Sequence, residues 1–396
     1  MIKLKDKIFW LGLKVWDLET FHGHEMTTPL GTSYNSYVIK DKKTALVDTC
    51  KADKRDEYLR ILEEEVGFDN IDMIIMNHNE PDHGGMLLEV LERAGRDTPV
   101  YCTEMGKRFI DRFFGEGLNI KTVKTGDEIS LGDTTLRFIE MRMIHWPDSM
   151  MTYALPQKVL FSNDAFGQHI AAGSIFDDAV DECRLFYEAL KYYVNILTPL
   201  SKLINKKLKE ILSMGLEIDI IAPSHGVVWK KNIGRILRSY QDWSEDANTD
   251  RVMIIYDTMY GQSSEMARAI AEGVEKESVD YRIYNVSTYD TSDLITEMFL
   301  ARGVIIGGPT INNSILSKTA GLLEEMRSMK FRNKMGGSFG TYGWSGESCK
   351  IIKEGLIGAG LKVDLDPVSV FLKMSTRDRE ACINYGREFA KLVKGG

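Results

Sequence analysis

Beyond about residue 250 the sequence repeats one arrangement: an apolar run, a short polar loop, then a segment with helical spacing. "RVMIIYDT" precedes "SSEMARAIAEGVEKE", "ARGVIIGGPT" precedes "KTAGLLEEMRSM", and "NKMGGSFGTYGW" precedes "GESCKIIKEGLIGAG". Parallel strands need a crossover to return, and a helix that packs back on the sheet supplies it. The repeat predicts an α/β domain with a doubly wound parallel sheet, whose ligands lie beyond the carboxyl ends of the strands.

The residues before about 240 read differently. "SYVIKDKKTALVDT" is a hairpin signal, and "YCTEMGKRFIDRFFG" runs a strand end into a helix. "IDMIIMNH" and "KVLFSNDAFG" are apolar runs that end in polar clusters, whereas "FYEALKYYVNILTPLSKLINKKLKEILSMG" has helical spacing, broken at Pro199 and ended at Gly215. This is a mixed α/β unit. The polar stretch "QDWSEDANTD" at 241–250 has the composition of an exposed connector, which divides the chain into domains 1–248 and 249–396. A length of 396 residues and an apolar share of 43% are enough for two cores.

"MIKLKDKIFWLGLKVW" interleaves lysines with apolar residues, so no signal sequence is expected, and no later run approaches a membrane span. A cytoplasmic protein is the expectation. The five cysteines are far apart with no C-x-x-C pair, which argues against a disulfide framework and a thiolate metal site. A formal charge of −8 spread along the chain argues against nucleic acid as a partner.

"IIMNHNEPDHGG" places His78, Glu80, Asp82 and His83 directly after a strand-like run. His145 follows "RFIEMRMI", His225 follows "IDIIAPS", and Asp164 ends "KVLFSND". Loops at the ends of neighbouring strands converge, so four imidazoles and three carboxylates can line one cavity. That set exceeds one tetrahedral zinc and suits two metals bridged by a carboxylate; nitrogen and oxygen donors without thiolate accommodate iron. Carboxylates buried together repel unless a cation compensates.

The order H-x-E-x-D-H followed by a distant His, Asp and His resembles the metal pattern of the metallo-β-lactamase fold. Hydrolases of that fold usually carry histidine where this chain has Glu80. With glutamate there, and with "HWPDSM" and "SHG", the chain resembles the flavodiiron proteins. The resemblance implies a metallo-β-lactamase-like αββα sandwich followed by a flavodoxin-like doubly wound sheet. It implies that His78, Glu80 and His145 hold one iron, that Asp82, His83 and His225 hold the other, and that Asp164 bridges them; in the family the equivalent of His83 does not always contact its metal. An anionic oxygen donor in place of imidazole favours the ferric state, which suits redox chemistry, and zinc has none.

"YDTMYGQSSEMA" puts hydroxyls and a glycine between a strand and a helix, where a phosphate meets N–H groups and the positive end of the helix dipole. No lysine follows the glycine, so it is not a P-loop. Its shape resembles the flavodoxin phosphate loop, and "GGPTINNS" and "FGTYGWSGES" resemble the loops around the flavin ring. FMN is thereby implied, held by Thr258, Met259, Tyr260, Gly261, Gln262 and Ser263, by Pro309, Thr310, Ile311, Asn312 and Asn313, and by Thr341, Tyr342, Gly343, Trp344, Ser345 and Gly346. Tyr342 or Trp344 can stack on the ring.

Two further side chains are candidates. By resemblance His24 is a proton donor beside the metals, although it also reads as a partly exposed loop histidine. The aromatics of "LFYEALKYYVNIL" fit a helix core stripe, but Tyr193 can approach the cavity. His169 reads as structural.

The resemblance implies reduction of dioxygen to water, of nitric oxide to nitrous oxide, or both. The head-to-tail homodimer of the family brings the FMN of one chain beside the diiron site of the other. The chain ends at "FAKLVKGG" without a C-x-x-C module, so a separate rubredoxin-type donor is expected. The main alternative is a dizinc hydrolase of the same fold with the flavodoxin-like half as a regulatory module, distinguished by zinc without flavin colour. A third is an electron carrier with a degenerate metal site, which would consume no gas.

Overall fold

A computed structural model describes residues 1–245 and 248–395. They form two compact units. The first holds Met1–Phe21, Thr28–Tyr193 and Leu200–Gln241; the second holds the residues from Asp242 onward and two short excursions, His22–Thr27 and Val194–Pro199.

The first unit contains a seven-stranded sheet in the order β1 (Ile2–Lys5), β2 (Ile8–Val15), β5 (Thr32–Lys40), β6 (Thr44–Val47), β7 (Met73–Ile75), β8 (Val100–Cys102) and β9 (Ile120–Thr122). Two-residue strands β3 (Thr20–Phe21) and β4 (Met26–Thr27) lie between β2 and β5 in the sequence. The hairpin expected from "SYVIKDKKTALVDT" is the antiparallel pair β5 and β6. Side chains alternate along these strands, as the strand period of two requires. Trp10, Tyr37, Ala45, Val47, Met73 and Ile75 enter one core, while Leu11, Leu13, Val38, Leu46 and Ile74 enter another with Tyr58, Leu62, Leu91 and Ile110 from the covering helices.

The first of these cores is shared with a second sheet, β10 (Glu128–Ser130), β11 (Thr135–Glu140), β12 (Met150–Leu155), β13 (Val159–Asn163) and β14 (Ile220–Pro223), through Leu136, Phe138, Ala154, Val159, Phe161 and Ile220. Helices Ser201–Ser213 and Ile233–Ser244 supply Leu208, Ile211 and Leu237 around Leu160 of β13. The layers are the expected αββα sandwich. Each fully buried Val, Leu, Ile or Phe stabilises it by about 1.5–3 kcal/mol relative to exposure. Strands β11 and β13 both run antiparallel to β12, and β14 runs parallel to β13, so the three end at one edge.

The second unit is a five-stranded sheet in the order β16 (Asp280–Asn285), β15 (Thr249–Tyr256), β17 (Ala301–Pro309), β18 (Met335–Tyr342) and β19 (Val368–Phe371). Every pair is parallel, and the order reverses between β15 and β17, the crevice where such sheets bind ligands. Helices Gln262–Lys276 and Thr376–Gly395 cross at a pair of glycines. A Cβ on Gly273 would lie 2.0 Å from the Ile383 carbonyl oxygen, and one on Gly386 would lie 2.0 Å from that of Ile270.

The connector differs from expectation. Residues 241–244 are the last turn of the helix Ile233–Ser244, and Thr249 and Asp250 begin β15; Asp246 and Ala247 of the same stretch lie outside the described residues. Ile236, Tyr240 and Trp243 recur at spacings of four and three and are all buried, so one helix face continues into a stretch whose composition is polar.

Candidate functional site

The loops after β7, β11, β13 and β14 bring all seven expected metal ligands together. Their donor atoms fall into two groups, one of His78, Glu80, His145 and Asp164, the other of Asp82, His83 and His225. In the first, Glu80 Oε2 lies 3.2 Å from His78 Nε2 and 3.3 Å from His145 Nε2. In the second, the Asp82 oxygens lie 3.3 Å from His83 Nε2 and 3.1 Å from His225 Nε2. Asp164 serves both groups: its Oδ2 is 3.2 Å from His145 and 3.6 Å from His78, while its Oδ1 is 3.1 Å from His83 and 3.6 Å from His225.

Both Asp82 oxygens, Asp164 Oδ1 and His83 Nε2 are buried, yet none has a partner in hydrogen-bonding geometry. Orphaned buried polar atoms are costly and rare. Here the carboxylate oxygens and imidazole nitrogens cluster within 3.1–3.3 Å of one another, a donor set that fits two metals bridged by Asp164. Burial opposes charge on the imidazoles, but the carboxylates prevail. Asp148 and Glu80 hold His78 up at about 10, Asp164 and Glu80 hold His145 up at about 10, and Asp82 and Asp164 hold His83 up at about 9. Burial likewise opposes charge on Asp82 and Asp164, and the neighbouring imidazoles, His83 foremost, pull both below the ordinary aspartate range.

In the second unit a cavity of about 400 Å³ opens where the strand order reverses. Gly261, at φ +86°, caps the fifteen-residue helix Gln262–Lys276, and Thr258 Oγ1 accepts the Gly261 N–H at 2.9 Å. Thr258, Met259, Tyr260, Gln262, Ser263, Pro309, Thr310, Thr341, Tyr342, Gly343 and Trp344 line the cavity. The volume is that of a small-molecule site. The lining carries no formal charge, so a phosphate there is met by hydroxyls and the N–H groups of the helix start. Tyr260 and Trp344 are each 88% exposed, flat apolar surfaces standing open beside it.

Residues 32–226 match the ODP family beta lactamase description, and residues 254–379 match the Flavodoxin family. The anaerobic nitric oxide reductase flavorubredoxin of Vibrio vulnificus is 40% identical over 99% of this chain and 80% of its own length; that of Salmonella typhi is 42% identical over 98% and 82%. The rubredoxin oxygen:oxidoreductase of Desulfovibrio gigas superposes with a TM-score of 0.96 at 33% identity, covering 100% of this chain and 98% of the other. The chain belongs to the flavodiiron proteins. The flavodiiron protein from Giardia intestinalis, 27% identical, superposes with a TM-score of 0.93 over 99% and 96% of the two chains.

Not every residue expected of a flavodiiron protein stands where the sequence put it. The Tyr193 hydroxyl lies 2.9 Å from Ser201 Oγ, and its ring packs edge-on against Tyr240. Tyr192, one residue earlier and about 100° away on the helix, approaches the metal cluster, with its ring 5.1 Å from His169 and 6.2 Å from His225. Burial, then Asp164, Asp82 and Glu80, raise its pKa well above the phenol range. His24 is exposed on the turn between β3 and β4. His169 Nδ1 lies 2.8 Å from Thr32 Oγ1, and its ring is 5.1 Å from that of His225. Of the flavin loops, Gly261, Ile311, Asn312, Asn313, Ser345 and Gly346 do not line the cavity wall. Asn313 instead donates to Ser345 at 3.2 Å and to Glu347 at 2.9 Å, tying two loops together.

Sequence reasoning missed Leu372, which lines the cavity, and Asp148, which accepts from His78 Nδ1 at 3.0 Å. Leu372 follows β19 at φ +54° and carries no motif. Asp148 had one signal, its place three residues after His145 in "HWPDSM".

Proposed function

We propose that this flavodiiron protein reduces dioxygen to water, nitric oxide to nitrous oxide, or both, with His78, Glu80 and His145 holding one iron, Asp82, His83 and His225 the other, and Asp164 bridging them. The observation that carries the ligand assignment is Asp164, which presents one oxygen to each histidine group. The protein is an oxidoreductase that works with FMN and a non-haem diiron centre. Bound iron supplies a redox-active Lewis acid for the gas, and FMN supplies a two-electron store that can release electrons singly.

The chain's own side chains set the conditions. The buried carboxylates balance the metal charge, and the histidines must give up their protons to ligate. Phe21, Tyr34 and Tyr192, with rings within 6.2 Å of His225, and Trp146, 5.1 Å from His78, exclude water from the cluster. On the second unit, Trp344 and Tyr260 would offer flat apolar surfaces to the flavin, and the start of the helix Gln262–Lys276 would supply N–H donors for its phosphate. Electrons come from a rubredoxin-type protein, in keeping with the names of the relatives. A head-to-tail homodimer, with the FMN of one chain serving the irons of the other, is the assembly we propose. No helix among the described residues is long and apolar enough to cross a membrane, which is compatible with a cytoplasmic enzyme.

The deciding experiment is reduction of the purified protein without air, then electrode measurements of dioxygen and nitric oxide uptake in parallel with iron and flavin analysis. Uptake of either gas by protein holding two irons and one FMN is expected. Zinc in place of iron, with no uptake, would restore the hydrolase reading. Recovery of activity on mixing Asp164→Ala with a flavin-free variant tests the dimer, and none after subunit exchange counts against it.

A further inference from the structure

The two halves of the cluster differ in what stands behind their histidines. His78 Nδ1 donates to Asp148 Oδ1 at 3.0 Å, and both side chains are fully buried. The other Asp148 oxygen accepts from the Asn79 backbone N–H at 2.8 Å and from Asn79 Nδ2 at 3.0 Å, and the Asp148 carbonyl accepts from Thr103 Oγ1 at 2.9 Å. Both oxygens of this carboxyl thus accept from N–H donors, the hydrogen-bond pattern of a carboxylate anion. In the other half, His225 Nδ1 donates to the backbone carbonyl of Ser33 at 2.9 Å, a neutral acceptor.

We propose that Asp148 is a positioning residue that makes the two iron positions inequivalent, lowering the reduction potential at the position of His78, Glu80 and His145 so that this iron is oxidised first. The inference rests on the ligand assignment above. A carboxylate that accepts from the far nitrogen of a ligating imidazole fixes its tautomer and makes the near nitrogen a stronger donor. The position of His78 therefore feels Glu80, Asp148 and one oxygen of Asp164, whereas that of His225 feels Asp82 and the other oxygen of Asp164. Among the carboxylates within bonding distance of the ligating imidazoles the excess is one negative charge, in a region too well buried for solvent to screen it strongly. More negative surroundings favour the ferric ion over the ferrous one.

The test is a redox titration of iron-loaded, FMN-containing protein, with the half-reduced centre followed by electron paramagnetic resonance. Wild type is expected to show two separate one-electron steps. Asp148→Asn removes the charge and keeps the shape, and it should bring the steps closer by about tenfold in their equilibrium constant, or about 59 mV for one electron. Asn79→Ala takes one donor away from Asp148 and leaves its charge less shared, so it should move the steps apart. Mere loosening of the site would shift both variants the same way. An unchanged separation in Asp148→Asn with both irons retained overturns the proposal. Should that variant lose iron, Asn79→Ala decides alone, and failure of the steps to move apart overturns it. Wild-type protein that takes up no iron at all would instead overturn the ligand assignment, and this inference with it.

Discussion

The two functional regions are built on opposite plans. The metal cluster is buried, charged and held by side chains from loops that start at residue 78 and end at residue 225. The flavin cavity is open, carries no formal charge, and is shaped by backbone turns and exposed aromatic rings. The first cannot stand without charge compensation, because its carboxylates and imidazoles have exchanged water for one another. The second loses little when empty. Removing one group should therefore be severe in the cluster and graded in the cavity.

The largest effect is expected from Asp164→Ala. It removes the oxygen each half relies on, and gas uptake should fall by at least about 10³-fold as the second metal is lost, an effect on the scale of deleting a group from a catalytic metal site. FMN content should not change. Loss of flavin from this variant, read by absorbance, would break the contrast between the regions.

The next effect appears in stability against pH. His78, His83 and His145 are raised to about 10, 9 and 10, so in metal-free protein their contribution is complete below the ordinary histidine value near 6.5 and is lost as pH rises through 9 to 10. The loss should lower the melting temperature of metal-free protein between pH 8 and about 10.5. Asp82 and Asp164 act at the other end, where their contribution is present above the ordinary aspartate value and fades as pH falls below it. Iron-loaded protein should show a flatter alkaline limb. Proton release on metal uptake near pH 7.5, seen with an indicator dye, checks the same point.

Trp344→Ala should weaken FMN binding by about tenfold, the scale of one aromatic stacking contact, and leave iron content intact. Quenching of flavin fluorescence on binding measures it. The smallest effect is that of Tyr193→Phe, which should cost about 1 kcal/mol of stability through the bond to Ser201 and leave gas uptake within about twofold. A large loss of uptake would mean that this face of the helix serves the cluster after all.

How much of this the sequence revealed depends on the kind of signal. The proposed metal ligands were legible as a group because their clusters follow apolar runs, a contrast that a linear pattern records. Asp148 follows no run of its own, and its partner His78 is 70 positions away, so the carboxylate that supports a ligand looked like any loop aspartate. Tyr192 and Tyr193 are neighbours in an aromatic stretch, where composition cannot say which ring faces inward. The chain also leaves regular α-helix at Tyr193–Leu197, a π-helical turn that alters the phase. In the fold, three-residue strands such as β7 are too short to display alternation, yet β7 leads directly to His78. The open flavin loops resembled a known pattern, but Leu372 reaches the cavity wall only through a backbone conformation that sequence does not display.

The distance along the chain between the first and last metal ligands has a consequence for how the protein is made. During synthesis the second iron position is not complete until the ribosome has released residue 225 and β14 has joined β13, by which time most of the first unit has emerged. Completion of the two-metal site is thus a late event, performed on a nearly finished scaffold.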